Sequence, residues 1–162
     1  MFESDSEILI LHLENRKSVF YTPLKRGERI KYTAFAVSKN YIIFGATSGG
    51  LYIFKKDPCS FWQLIPSKET AVTSIAISSS ENFVAFSTNK GIVCIVELNE
   101  NSNGKLITRT QDLSNYEITA LCWIEDNAKL ILLIGDNSGR VSSLKLSFLF
   151  LSIYRFSFTS WN

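Results

Sequence analysis

The sequence predicts an all-β chain, a partial β-propeller of about three four-stranded blades, and three observations carry that expectation. A six-residue motif, apolar-Thr-small-apolar-small-apolar, occurs three times, with Thr33, Thr73 and Thr119 standing 40 and 46 residues apart. A turn glycine returns at one position after each motif: Gly49, Gly91 and Gly139. Between motif and glycine, and again after the glycine, lie short apolar runs of strand length. Four short antiparallel strands recurring every 40–45 residues or so are the signature of propeller blades. A sandwich of unrelated hairpins would not bring back Thr, Gly and the apolar pairs in the same order.

Residues 1–30 are read as an N-terminal strand or linker. Glu7 to Leu13 suits a strand or a short helix, and so few residues do not separate the two by periodicity. Arg16, Lys17, Lys25, Arg26, Arg29 and Lys31, with Pro23 and Gly27 among them, form a loosely basic stretch. It is read as a solvated surface connection, with contact to an anionic membrane surface as the alternative.

The propeller segment is set at 31–146, with repeats starting near 31, 71 and 117. The first strands are read in Tyr32 to Ser38, Val72 to Ser78 and Ile118 to Trp123, each alternating so that one face is apolar and the other small. Second strands follow in YIIFGATSGG, FVAFSTNKG and LILLIGDNSG, each closing on a turn glycine, where a tight hairpin needs positive φ. Third strands are Leu51 to Phe54, Val93 to Val96 and Val141 to Leu144. Polar turns then lead to fourth strands at Phe61 to Ile65 and Lys105 to Thr108. The third repeat has no such turn. Residues 147–162 run SFLFLSIYRFSFTSWN with neither Gly, Pro nor Asp before the final Asn162, and are read as an aberrant apolar tail from a mis-predicted exon or splice form. A real outer strand or docking segment is the alternative.

Composition narrows function. The 162 residues carry 17 Lys+Arg against 15 Asp+Glu, a net +2 that is too small for a dedicated nucleic-acid coat. One histidine, His12, removes most metalloenzyme and His-based triad chemistry. Cys59, Cys94 and Cys122 are odd in number and widely spaced, which matches neither a disulfide framework nor a zinc site. The N-terminus is acidic where a secretory signal is basic, and Arg155 interrupts the apolar tail before it reaches spanning length. The expected protein is cytosolic, without a transmembrane span.

Candidate chemistry resolves mostly into structure. Gly45 to Gly50 superficially resembles a phosphate-cradling loop, but such a loop precedes a helix and here a strand follows. Cys94 and Cys122 fall inside strands and are expected as small buried hydrophobes, while Cys59 follows Pro58 in a turn. Glu125-Asp126 lies in a connection with no recurring partner, so no general acid/base pair is assigned. Trp123 is expected in the core or lining the central channel. Phe61 and Trp62, near a blade's outer edge, are the candidate partner-facing aromatics. No catalytic, cofactor-binding or metal-binding residue is expected, and no cofactor.

The repeats resemble degenerate WD40 repeats: Phe54-Lys55, Val96-Glu97 and Leu144-Lys145 stand where a Trp-Asp dipeptide is usual, and the Gly-His dipeptide is absent. The run IKYTAFAVSKNYIIFGATSGGLYIF, with AVTSIAIS, VAFST, ITALCW and GDNSGRVSSLKL, is similar to the N-terminal propeller of the Hermansky–Pudlak syndrome 5 protein family from Arg29 to Leu146. The tectonin β-propeller repeat-containing protein 2 family, linked to autophagy and secretory traffic, is the second resemblance. The first implies a non-enzymatic interaction scaffold within biogenesis of lysosome-related organelles complex 2. It would act with other subunits in carrier delivery to pigment granules and related organelles, in the cytosol or peripherally on endosomal membranes. A propeller-channel ligand binder or enzyme is the remaining alternative. Members of the first family are several times longer. Propellers close with four to eight blades, so three repeats are expected to be about half a ring, with apolar faces open at its ends.

Overall fold

The computed structural model describes residues 17–24, 29–98, 104–110, 116–126, 129–146 and 151–154. Glu7 to Leu13 lies outside the described residues. After a short helix α1 (Lys17–Tyr21), the described chain is built from twelve strands. Blade 1 comprises β1 (Tyr32–Val37), β2 (Tyr41–Ala46), β3 (Leu51–Lys55) and β4 (Ser60–Ile65). Blade 2 comprises β5 (Val72–Ile77), β6 (Phe83–Thr88), β7 (Val93–Glu97) and β8 (Lys105–Arg109). Blade 3 comprises β9 (Ile118–Asp126), β10 (Lys129–Asp136), β11 (Val141–Leu146) and β12 (Leu151–Tyr154). Each blade is a four-stranded antiparallel meander in chain order. The inner strands β1, β5 and β9 stand side by side, as in a propeller that is open and incomplete.

Packing explains why the middle strands read as unbroken apolar runs. Leu51 to Phe54 and Val93 to Val96 are buried at every position, because each strand has apolar cover on both faces. One core joins blades 1 and 2 through Ile43, Leu51 and Ile53 against Val84, Phe86 and Cys94. A second joins blades 2 and 3 through Ala85, Val93 and Ile95 against Leu132, Ile134 and Leu144. Fully burying one such side chain stabilises by about 1.5–3 kcal/mol, so the seams supply the main apolar term.

The recurring threonine has a structural reason. Pairing of inner and second strands skips one residue in every blade, and the skipped residue is Thr33, Thr73 or Thr119. Such a bulge leaves a residue unpaired, and the hydroxyl compensates by bonding across it. Thr33 Oγ1 donates to the Gly45 carbonyl at 3.2 Å, Thr119 Oγ1 to the Gly135 carbonyl at 3.3 Å, and Thr73 Oγ1 shares a proton with Ser87 Oγ at 2.9 Å.

The turns repeat as well. Gly49, Gly91 and Gly139 have φ of 81°, 70° and 80°. Each donates its N–H to the carbonyl three residues earlier, on Ala46, Thr88 and Asp136. Thr47, Asn89 and Asn137 each reach back to the carbonyl of Lys31, Ala71 or Glu117, which ties the turn to the start of its own inner strand.

One residue departs from the sequence reading, and one of its alternatives is met in the tail. Cys122 is exposed rather than buried, because alternation on β9 sends Leu121 and Trp123 toward blade 2 and Cys122 to the opposite face. Within the apolar tail, Leu151–Tyr154 forms β12 and pairs with β11 from Ser143 to Leu146. The edge of β11 offers unpaired backbone groups, and a strand forms there although no polar turn announces it.

Candidate functional site

The ends of β1 and β5 and the middle of β9 surround an open hollow of about 570 Å³. Val37, Lys39, Ile77, Ser79, Glu81 and Trp123 are among its lining residues. Trp123 donates its indole Nε1–H to the Ala76 carbonyl at 3.0 Å and so bridges blades 3 and 2. Glu81 bridges blades 2 and 1: its carboxylate accepts from the Asn40 backbone N–H at 2.8 Å and from Asn40 Nδ2 at 2.6 Å. Burial pushes the Glu81 carboxyl up, but hydrogen bonds from Ser38 and Asn40 outweigh it and hold the group below the usual carboxylate range. Glu81 occupies the left-handed region at φ 59° in the β5–β6 turn, where its N–H donates to the Ser78 carbonyl at 2.9 Å.

Glu69, Arg109, Asp136 and Arg140 are likewise committed to structure. Glu69, in the link between β4 and β5, pairs with Arg109 of β8. Asp136, buried in the β10–β11 turn, accepts from the Ser138 and Arg140 N–H groups, the Ser138 hydroxyl and Arg140 Nε. Burial works against its charge, and these bonds more than offset that, holding its carboxyl below the usual range. Arg140 in turn lies over the Tyr116 ring at 3.4 Å. Burial pushes the Cys94 thiol up to about 12, leaving it protonated at neutral pH and a poor nucleophile. Cys59 is half-buried. Among the described residues no group of three His, Cys, Asp or Glu side chains is placed to hold a metal. No described helix is long and apolar enough to cross a membrane.

The candidate aromatics sit on β4, at the outer edge of blade 1. Phe61 is 41% exposed and its ring meets Phe54 edge-on at 5.4 Å. Trp62 is half-buried, stacked on Tyr41 at 5.1 Å with the Lys55 ammonium over its face at 5.6 Å. Leu64, also 41% exposed, lies on the same strand. Among the described residues the most exposed large apolar side chain is elsewhere, on the inner strand: Phe35 is 69% exposed and Val37 two residues on is 55% exposed. Sequence reading did not single these out. The signal was present in the repeat, since their counterparts Ile75, Ile77, Leu121 and Trp123 all have a blade to pack against.

Comparison with known proteins decides the family, since residues 10–157 match the Vps8 β-propeller family. The chain belongs to that family. This Vps8-type propeller is also 40% identical over 127 residues to the BLOC-2 complex member HPS5 homolog of Drosophila melanogaster, covering 77% of the chain and 15% of that protein. It is 34% identical over 146 residues to the Aedes aegypti homolog, covering 80% of the chain and 17% of that protein. To the BLOC-2 complex member HPS5 of Homo sapiens it is 32% identical over 124 residues, covering 75% of the chain and 11% of that protein. These are the relatives to which the sequence motifs point, and the chain spans less than a fifth of their length. The family match continues past Leu146, where the resemblance read from the motifs stops.

Solved structures agree on the fold alone. The β-propeller domain of Cps50 (Swd1) from Myceliophteria thermophila superposes with a TM-score of 0.60 at 12% identity, covering 78% of this chain and 43% of that one. Sqt1 of Saccharomyces cerevisiae gives a TM-score of 0.59 at 17% identity, covering 76% of this chain and 33% of that one.

Proposed function

We propose that this Vps8-type propeller is a non-enzymatic interaction scaffold, part of a BLOC-2 subunit acting in vesicle traffic to lysosome-related organelles such as pigment granules. The observation that carries the reading is the 40% identity over 127 residues to a protein named as a BLOC-2 complex member. The chemistry supports it: Glu69, Glu81, Asp136 and Arg109 are held in bonds that close turns and seams, and the Cys94 thiol is buried. The partners are the complex's other protein subunits, met in the cytosol or at the endosomal surface. On this reading Phe61, with Trp62 behind it, is an outward contact point, while Gly49, Gly91 and Gly139 hold the turns that keep the blades in register.

The test is affinity purification of the tagged chain, alone and within its longer parent protein, from cells lacking the endogenous HPS5 homolog. Mass spectrometry should recover the remaining BLOC-2 subunits with the parent protein, and Phe61→Ala should reduce that recovery several-fold. A parent protein that recovers none of them, or recovers autophagy components instead, overturns the assignment.

A further inference from the structure

The seam between blades 1 and 2 holds a cleft of about 280 Å³. Phe86, Cys94 and Val96 form its buried lining with Ile65, and Pro66 and Leu106 are exposed at its rim. Both blades of this seam are among the described residues, so a further blade in a ring would not fill it. The repeat explains the space. Cys94 and Val96 stand on the third strand of blade 2 where Tyr52 and Phe54 stand on that of blade 1. In blade 1 both rings are buried and fill their face. In blade 2 a thiol and an isopropyl group take their places in the seam and leave room for a ring. The walls are held apart by their own contacts. Ile65 lies directly on Gly104, where an added Cβ would fall 2.5 Å from Ile65 Cδ1. In the link after Ile65, the Glu69 N–H donates to Ser67 Oγ at 3.0 Å and the Glu69 carboxylate pairs with Arg109 of β8.

Charge selects the occupant. Lys68 also lines the cleft, is exposed and pairs with no carboxylate among the described residues, while Glu69 beside it is matched by Arg109. The free charge at the cleft is therefore positive. We propose that this cleft docks an extended protein segment that inserts one aromatic side chain beside Cys94 and sets a neighbouring carboxylate on Lys68. An aromatic anchor in a desolvated pocket carries most of the energy of such a contact, and a rim charge selects the partner. The site is separate from Phe61, whose ring packs on Phe54 at the other face of blade 1, and it does not depend on which complex the chain serves.

The probe is the acetylated, amidated peptide Gly-Ser-Asp-Asp-Phe-Asp-Asp-Ser-Gly, titrated into the full chain carrying labelled Ile, Leu and Val methyls. Saturable NMR shifts are expected at Ile65, Val96 and Leu106, with Leu132 and Leu144 of the other seam unmoved. Replacing the peptide's Phe by Ser should abolish the shifts, and replacing its Asp residues by Lys should weaken binding several-fold. Lys68→Glu should weaken binding several-fold, whereas Lys90→Glu, exposed on the β6–β7 turn outside the cleft, should not. Cys94→Tyr puts the blade 1 residue back and should abolish binding with β-sheet circular dichroism unchanged. If that variant does not fold, Leu106→Asp at the exposed rim takes its place. Phe61→Ala should bind the peptide as the unaltered chain does, so failure here is distinct from failure of the BLOC-2 assignment. Absence of saturable shifts at the cleft overturns the proposal. So does binding that survives the filled or charged cleft, or that Lys90→Glu weakens as much as Lys68→Glu, which marks a nonspecific electrostatic contact.

Discussion

At the scale of single residues, the turn glycines were visible in the sequence as a class, but their separate surroundings were not. All three hold φ between 70° and 81°, where an L side chain costs about 1–2 kcal/mol. A Cβ added at Gly139 would meet no atom of the described residues within 4 Å, so that conformational cost stands alone. At Gly49 the added Cβ would run into the Glu69 carbonyl, backbone of the link between blades 1 and 2 that cannot swing aside. Overpacking of this kind adds about 1–3 kcal/mol. Gly139→Ala is therefore expected to lower unfolding free energy by about 1–2 kcal/mol, and Gly49→Ala by about twice that, measured by urea denaturation at constant m-value. Equal losses at the two sites would show that the blade 1 turn does not lean on the link. The distinction was illegible in the sequence because Glu69 is twenty residues from Gly49 and belongs to another element.

At the scale of elements, the strands were readable and what holds them was read only in part. Alternation in YTAFAV and VTSIAI, and the unbroken runs LYIF and VCIV, mark inner and middle strands because one kind has a single packed face and the other two. Helix α1 spans only five residues, too few for a 3.6-residue period to show, and its anchor Phe20 finds its partners on β2 and β3. Strand β12 lacked a turn signal and exists through pairing with β11. The repeated threonine was the clearest mark of the blade, yet its work, bridging a bulge, depends on pairing that no local pattern displays. That role gives a graded prediction. Ser87 is fully buried and its hydroxyl is paired with Thr73, so Thr73→Val leaves a buried polar atom without that partner, at a cost of about 1–3 kcal/mol. Ser87→Ala in the Thr73→Val background should recover part of the loss. Thermal unfolding of the two single variants and the double variant gives the coupling directly, and purely additive losses would assign the bulge to backbone geometry alone.

At the scale of the whole molecule, a repeat protein is nearly one-dimensional: each unit is stabilised by itself and by its neighbours. Blade 2 has a blade on both sides, whereas blade 1 has a blade on one side and helix α1 on the other. Blade 3 has blade 2 on one face, with Cys122 and Ile124 exposed on the other. The burial of the middle strands follows that order. From Val84 to Thr88 and from Val93 to Val96 every residue is buried, while along β10 buried and half-buried positions alternate from Leu132 to Asp136. Opening free energy rises with the apolar contact that must be broken, so the two seams make blade 2 the last to open and blade 3 the first. Hydrogen–deuterium exchange should then show slowest exchange in β6 and β7, intermediate exchange in β2 and β3, and fastest exchange in β10 and β11. The half-buried residues of β10 make the prediction sharp, because its backbone ladder to β9 and β11 is as complete as that of β6. Hydrogen-bond count alone predicts equal protection, and only the shallower burial of β10 lowers it. Equal exchange in β6 and β10 would mean that the blades open as one cooperative unit despite their difference in burial. Faster exchange in β10 would show that opening follows side-chain burial rather than backbone pairing.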